Sequence, residues 1–128
     1  MVRSLSFLLL SSVVIAAGCH LDSFACTAHI QPGIIVTIID SATGEPRAAQ
    51  ASGVAQAGSF TDSLRPYGYD GQPLAMISRH AADERPGTYT VTVHAPGYRD
   101  WQGPRLRVSP GECHVQTLSV DARLQSAP

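Results

Sequence analysis

The sequence predicts an all-β sandwich of about seven short strands, and three observations carry that expectation. Residues 34–39 (IIVTII) are β-branched throughout and bounded by Pro32-Gly33 and Asp40-Ser41. Residues 88–95 alternate, with Tyr89, Val91, Val93 and Ala95 on one side and Thr88, Thr90, Thr92 and His94 on the other. Gly and Pro turns recur at short intervals, and no stretch after the N-terminal segment has a convincing amphipathic helical period.

The elements follow in order. Residues 34–39 read as a buried first strand, and 40–46 (DSATGEP) carry the Asp, Ser, Gly and Pro expected where the chain reverses. Residues 47–64 have only Val54, Phe60 and Leu64 as sizeable hydrophobes and predict two weak strands turning at Ala57-Gly58. Residues 66–73 (PYGYDGQP) read as loop, 74–78 (LAMIS) as a short strand, and 80–85 as a single helical turn before Pro86-Gly87. The alternating strand 88–95 ends at Pro96-Gly97. Leu106 and Val108 alternate with Arg105 and Arg107 in the next strand, and Pro110-Gly111 turns into a last one with Leu118, Val120, Ala122 and Leu124 on one face. Val115 is out of phase with that face, which predicts a bulge near Gln116 or Thr117.

The N-terminus reads as an export signal. Arg3 is a short basic region, and residues 5–17 are an apolar run broken only by serines at 6, 11 and 12. At 13 residues the run falls short of the roughly 18 to 20 that a spanning helix needs. Ala16-Ala17-Gly18-Cys19 resembles the lipobox of bacterial lipoproteins, with Ala16 where leucine is commonest. The resemblance implies cleavage before Cys19, diacylation of that cysteine with palmitate-class chains and acylation of the new amine. Two or three chains, at about 0.8 kcal/mol per buried methylene, anchor stably where one would be marginal. The alternative is an ordinary signal peptide cut near Ala17, leaving Cys19 a thiol. His20, in place of aspartate after the lipidated cysteine, points to the outer membrane facing the periplasm. The expected organisation is signal peptide 1–18, lipidated N-terminus and tether 19–29, sandwich 30–124 and tail 125–128.

Lipidation of Cys19 leaves Cys26 and Cys113 as an even pair in an oxidising compartment, where a disulfide is expected; two separate buried thiols are the alternative. Neither cysteine has a CxxC neighbour. With about seven residues between Cys19 and Cys26, the tether reaches some 25 Å at most, which keeps the domain close to the membrane.

Composition narrows the function classes. The chain of 128 residues is 44% hydrophobic and 15% charged, enough for one packed domain. Its net charge of −1 becomes −2 when Arg3 leaves with the signal, and the remaining arginines are scattered, which argues against nucleic acid. Lysine and asparagine are absent, excluding lysine-base or Schiff-base chemistry and N-linked glycosylation. The five histidines lack HxH, HxxxH and HExxH spacings, so no metal or other cofactor is expected, although His29 and His114 could approach one another beside the paired cysteines. No serine stands in a GxSxG setting, and Asp62, Asp70, Asp83, Glu84 and Asp100 are spread over loops. The reading is non-catalytic.

Gly87-Thr88-Tyr89-Thr90-Val91-Thr92-Val93, followed by Ala95-Pro96-Gly97-Tyr98, is similar to the closing half of the carboxypeptidase regulatory-like domain. Asp40 with Thr43-Gly44-Glu45-Pro46 resembles that family's usual start, and 108–124 its end. The resemblance implies a transthyretin-like Greek-key sandwich serving as an accessory, adhesion or scaffolding module. Locally, Gly97 is expected to take a positive φ at the strand exit, with Tyr98 folded over the sandwich end. The enzyme on this fold, the transthyretin-related hydroxyisourate hydrolase, ends in Tyr-Arg-Gly-Ser, whereas this chain ends Arg-Leu-Gln-Ser-Ala-Pro. Tyr67, Tyr69, Tyr98 and Trp101 fall in loops beside Gly, Asp and Arg. They either seal the core or form a binding surface. The leading expectation is an envelope accessory module that binds another envelope protein. The alternative is a carbohydrate-binding module for peptidoglycan or exopolysaccharide, with metal carriage or hydrolase activity behind both.

Overall fold

The computed structural model describes residues 25–68 and 73–128; the signal, Cys19, His20 and Tyr69 lie outside these described residues. Two sheets pack face to face. One has the order β4-β5-β1-β9, from Arg65–Pro66 (β4), Ser78–Ala81 (β5), Ile34–Asp40 (β1) and Leu118–Leu124 (β9). The other has the order β3-β2-β6-β7, from Phe60–Ser63 (β3), Ser52–Ala57 (β2), Gly87–His94 (β6) and Trp101–Gln102 (β7), with Leu106–Val108 (β8) also paired to β6.

The β-branched run becomes the central strand β1, antiparallel to β5 and parallel to β9 along its whole length. Its burial alternates: Ile34, Val36 and Ile38 are fully enclosed, while Ile35, Thr37 and Ile39 are half-buried on the outer face. Across the core stand Tyr89, Val91 and Val93 of β6, as the alternation predicts, and Ala122 and Leu124 of β9 complete the enclosure. The Tyr89 ring is wholly buried, and its hydroxyl donates to the Arg85 carbonyl at 3.0 Å, so the one polar atom of the largest core side chain is satisfied.

The weak strands of the middle segment form as expected, β2 and β3 turning at Gly58, whose φ is +57°. Other expectations are corrected. Residues 73–77 are a helical turn (α1, Pro73–Ile77), and the strand begins only at Ser78. Proline preset for the first helical position and the helix formers after it outweigh the short apolar run. The helical turn expected at 80–85 is absent: His80 and Ala81 finish β5, and the chain then turns with positive φ at Ala82 (59°) and Glu84 (49°). No bulge interrupts β9, because Gln116 and Thr117 precede it. Val115 belongs to a small hairpin closed by the Pro110 to Val115 bridge and by the Gly111 N–H on the His114 carbonyl, which tucks Val115 under the core. A bulge does occur elsewhere: between β7 and β8 the register against β6 slips by one residue across Gly103-Pro104-Arg105, where Pro104 has no N–H to give a ladder.

The sandwich has two poles. At one, β1 begins beside Ala81, the 82–86 turn, the 109–116 hairpin and the start of β6. At the other, β1 ends at Asp40 beside the end of β9 and the exit of β6. The C-terminal residues are not a free tail. Arg99 N–H donates to the Gln125 carbonyl and Ala127 N–H to that of Gly97, both at 2.9 Å, so 125–127 close the second pole.

Candidate functional site

At the first pole, Cys26 and Cys113 are joined by a disulfide, with Cα atoms 5.3 Å apart, which fixes the incoming chain to the 109–116 hairpin. The neighbours of the two cysteines are thereby brought together. His114 Nδ1 lies 2.6 Å from Glu84 Oε1, and its Nε2 lies 3.1 Å from Thr27 Oγ1. Glu84 also accepts the Gln31 N–H at 2.7 Å and the Val115 N–H at 3.3 Å. These donors, led by the Gln31 amide, hold the Glu84 carboxyl below its ordinary range. His114 therefore meets Thr27 and Glu84 rather than His29. The order hydroxyl, imidazole, carboxylate is that of a hydrolytic relay, but the carboxylate's other bonds all go to backbone of the incoming segment and the hairpin. The arrangement works as a clasp on residues 27–31.

The second pole carries the predicted Tyr98. Gly97 takes a φ of +83°, as expected at the strand exit. Tyr98 then turns inward, its hydroxyl donating to Asp40 Oδ2 at 2.6 Å and accepting from Arg47 Nε at 2.6 Å. Asp40, only 7% exposed, also caps its own turn by accepting the Ala42 and Thr43 N–H groups at 2.7 and 2.9 Å. With the Tyr98 hydroxyl the largest influence and these amides next, its carboxyl is lowered to about 2. Tyr98 thus locks the 40–46 turn to the 95–98 turn and has no hydroxyl left to offer a ligand.

Trp101 is placed differently. As the first residue of β7 it pairs with Val93, packs half-buried against the core, and lies flat enough over Gly103 that any side chain there would meet its ring. Its remaining edge walls an open groove of about 290 Å³ between the two sheets, lined by Arg99, Asp100, Trp101, Gln102, Arg123 and Gln125. The tryptophan both seals the core and borders a surface. Arg123 is 61% exposed and reaches Asp121 only at 3.9 Å, so its charge is available there. Tyr67 stands far from this groove in the fold, edge-on to His80 at 5.9 Å on the β4 side of its sheet, whereas the groove opens beside β9. Among the described residues, the predicted aromatics Tyr67, Tyr98 and Trp101 do not form one platform.

Two further features were not singled out as sites by the sequence, although the alternation at 88–95 already puts the threonines on one face. The scattered carboxylates Asp62 and Asp83 converge on Arg65, at 2.6 and 2.9 Å, with His80 Nδ1 on Asp83 at 2.9 Å. Burial pushes Asp62 up, but Arg65 and the Ala82 N–H outweigh it and leave the carboxyl below its usual range. The outer face of β6, with Thr88, Thr90 and Thr92, floors a second open groove of about 270 Å³ bordered by Gln56, Gly58, Gln102 and Arg105. Among the described residues, no group of three or more His, Cys, Asp or Glu is placed to hold a metal ion, and no helix is long and apolar enough to cross a membrane. No family model matches the chain, and no curated protein matches it.

Proposed function

We propose that the chain is a lipid-anchored lipoprotein of the cell envelope whose transthyretin-like Greek-key sandwich is a non-catalytic accessory module that engages another envelope protein. The parallel pairing of first and last strands, and seven strands of three residues or more, support that finer reading of the fold. Ala16-Ala17-Gly18-Cys19 supports the anchor.

The observation that carries the functional reading is the opposition of the two poles. The chain coming from Cys19 is stapled at Cys26 to one end, and the Trp101 groove with Arg99 and Arg123 opens near the other. The seven residues of β1 separate them by about 20 Å. An anchored domain so arranged turns its groove away from the lipid. Two exposed guanidiniums beside an indole suit the acidic and aromatic side chains of a protein surface.

The test is in-cell cross-linking of the full-length protein, with intact mass after detergent extraction. The wild type should carry acyl chains and capture one specific protein. Cys19→Ser should lose both, and Arg99→Gln with Arg123→Gln should lose capture while keeping the lipid. A mature mass without acyl chains sinks the anchor, and capture indifferent to both arginines sinks the groove as the docking site. The indole wall also suits a sugar ring, which is the second reading. Co-sedimentation with peptidoglycan sacculi, lost in the same arginine variant, would favour it over a protein partner.

A further inference from the structure

We infer that the outer face of the β2-β6-β7-β8 sheet is a second binding site, for a linear acidic polysaccharide, apart from the anchor and sharing Gln102 but neither arginine with the Trp101 groove. Cross-strand register fixes its surface. Gln56 stands opposite Thr90, Gln102 opposite Thr92 and Arg107 opposite Thr88, so these side chains share one face with the threonine ladder. Alternate residues of a strand are about 6.8 Å apart, so the three hydroxyls run for roughly 14 Å along the groove floor.

Hydrogen-bonding capacity on this face is open. Among the described residues, the side chains of Thr88, Thr90, Thr92, Gln102 and Arg105 meet no hydrogen-bond partner, and Gln56 makes one long bond, 3.4 Å to the Gly58 carbonyl. Such a row of hydroxyls and amides matches the ring hydroxyls of a glycan laid along the strand. The groove has no aromatic wall, so affinity there comes from hydrogen bonds and charge.

Charge selects the class of glycan. The sheet positions of this face carry no carboxylate. Arg107 stands in the sheet opposite Thr88 and Arg105 lines the groove from the bulge between β7 and β8, while the one nearby acid, Asp100, is engaged by His94 at 2.7 Å beyond Thr92. Guanidiniums present paired donors to carboxylates, so uronic acid units fit where neutral sugars would leave the arginines idle.

The experiment uses the full-length, detergent-solubilised protein and isothermal titration with polygalacturonate oligomers, matched-length neutral cello-oligomers and an oligonucleotide. Binding of polygalacturonate alone, weakening as salt rises, is expected. Thr90→Val with Thr92→Val, which keeps β-branched shape in the strand, should weaken it about tenfold, at roughly three- to tenfold per lost hydrogen bond. Arg105→Gln with Arg107→Gln should weaken it similarly and flatten the salt dependence. Equal binding of the neutral oligomer overturns the charge argument. Equal binding of the oligonucleotide, or polygalacturonate affinity unchanged in the folded variants, overturns the site. Arg99→Gln with Arg123→Gln should leave this titration unchanged, which separates it from docking at the Trp101 groove.

Discussion

A single hydroxyl does more at the second pole than its exposure suggests. Tyr98 donates to Asp40 and accepts from Arg47, so Tyr98→Phe would leave a nearly buried carboxylate short of its strongest donor. The variant should keep the fold and melt roughly 5 °C lower near neutral pH, which thermal unfolding would measure. Its pH profile is more telling. The folded carboxyl of Asp40 titrates near 2, below its ordinary 3.8, so the stability it contributes is full above about pH 4 and is lost as pH falls toward 2. Tyr98→Phe should therefore flatten the fall in melting temperature between pH 4 and 2; parallel curves for the two proteins would remove Tyr98 from this role. The sequence places Tyr98 at the strand exit through Pro96-Gly97, yet Asp40 lies 58 positions away and Arg47 another turn along, so the partners are visible only once β1 and β6 are packed.

At the scale of elements, strands whose hydrophobic period was strict were legible, and those settled by local backbone chemistry were not. β1, β6 and β9 follow their β-branched or alternating patterns. Residues 73–77 went to helix because Pro73 favours that start, and the 82–85 turn rests on two non-glycine residues at positive φ, for which the sequence has no marker. The Thr27, His114 and Glu84 clasp was half legible: pairing Cys26 with Cys113 already makes Thr27 and His114 neighbours, but Glu84 arrives by way of that unmarked turn. The disulfide and the clasp join the same two elements, so they should fail in sequence. Reduction should lower stability by about 2 to 4 kcal/mol, because the bond closes a loop of 87 positions, and it should expose residues 27–31 to amide exchange before the strands. The strand amides should rise only by that global loss, and residues 27–31 exchanging no faster than the strands after reduction would remove the bond from holding this junction.

For the whole molecule, the decisive property is direction. β1 and β9 run parallel from the clasped pole to the Tyr98 pole, and β6 runs the same way in the other sheet, from the 82–86 turn to the 95–98 turn. Everything the lipid anchor would hold is at the start of these strands, and the groove beside Trp101 is near their ends. On the proposed anchoring, a tether of some 25 Å at most then limits how far the domain can tumble over the surface. This polarity can be measured without a known partner. With Cys26 bonded to Cys113, and Cys19 acylated as we propose, a cysteine introduced at Ser59, in the exposed β2-β3 turn at the clasped pole, or at Ser41, in the exposed turn after β1, is the one reactive thiol. Each variant, dye-labelled and reconstituted in vesicles with an acceptor in the headgroups, reports its height by energy transfer. Ser59→Cys should transfer more strongly than Ser41→Cys, and the difference should vanish in the presence of detergent. Equal transfer at the two positions would mean that the domain lies on its side, with the Trp101 groove free to face the lipid, and docking away from the membrane would have to be abandoned.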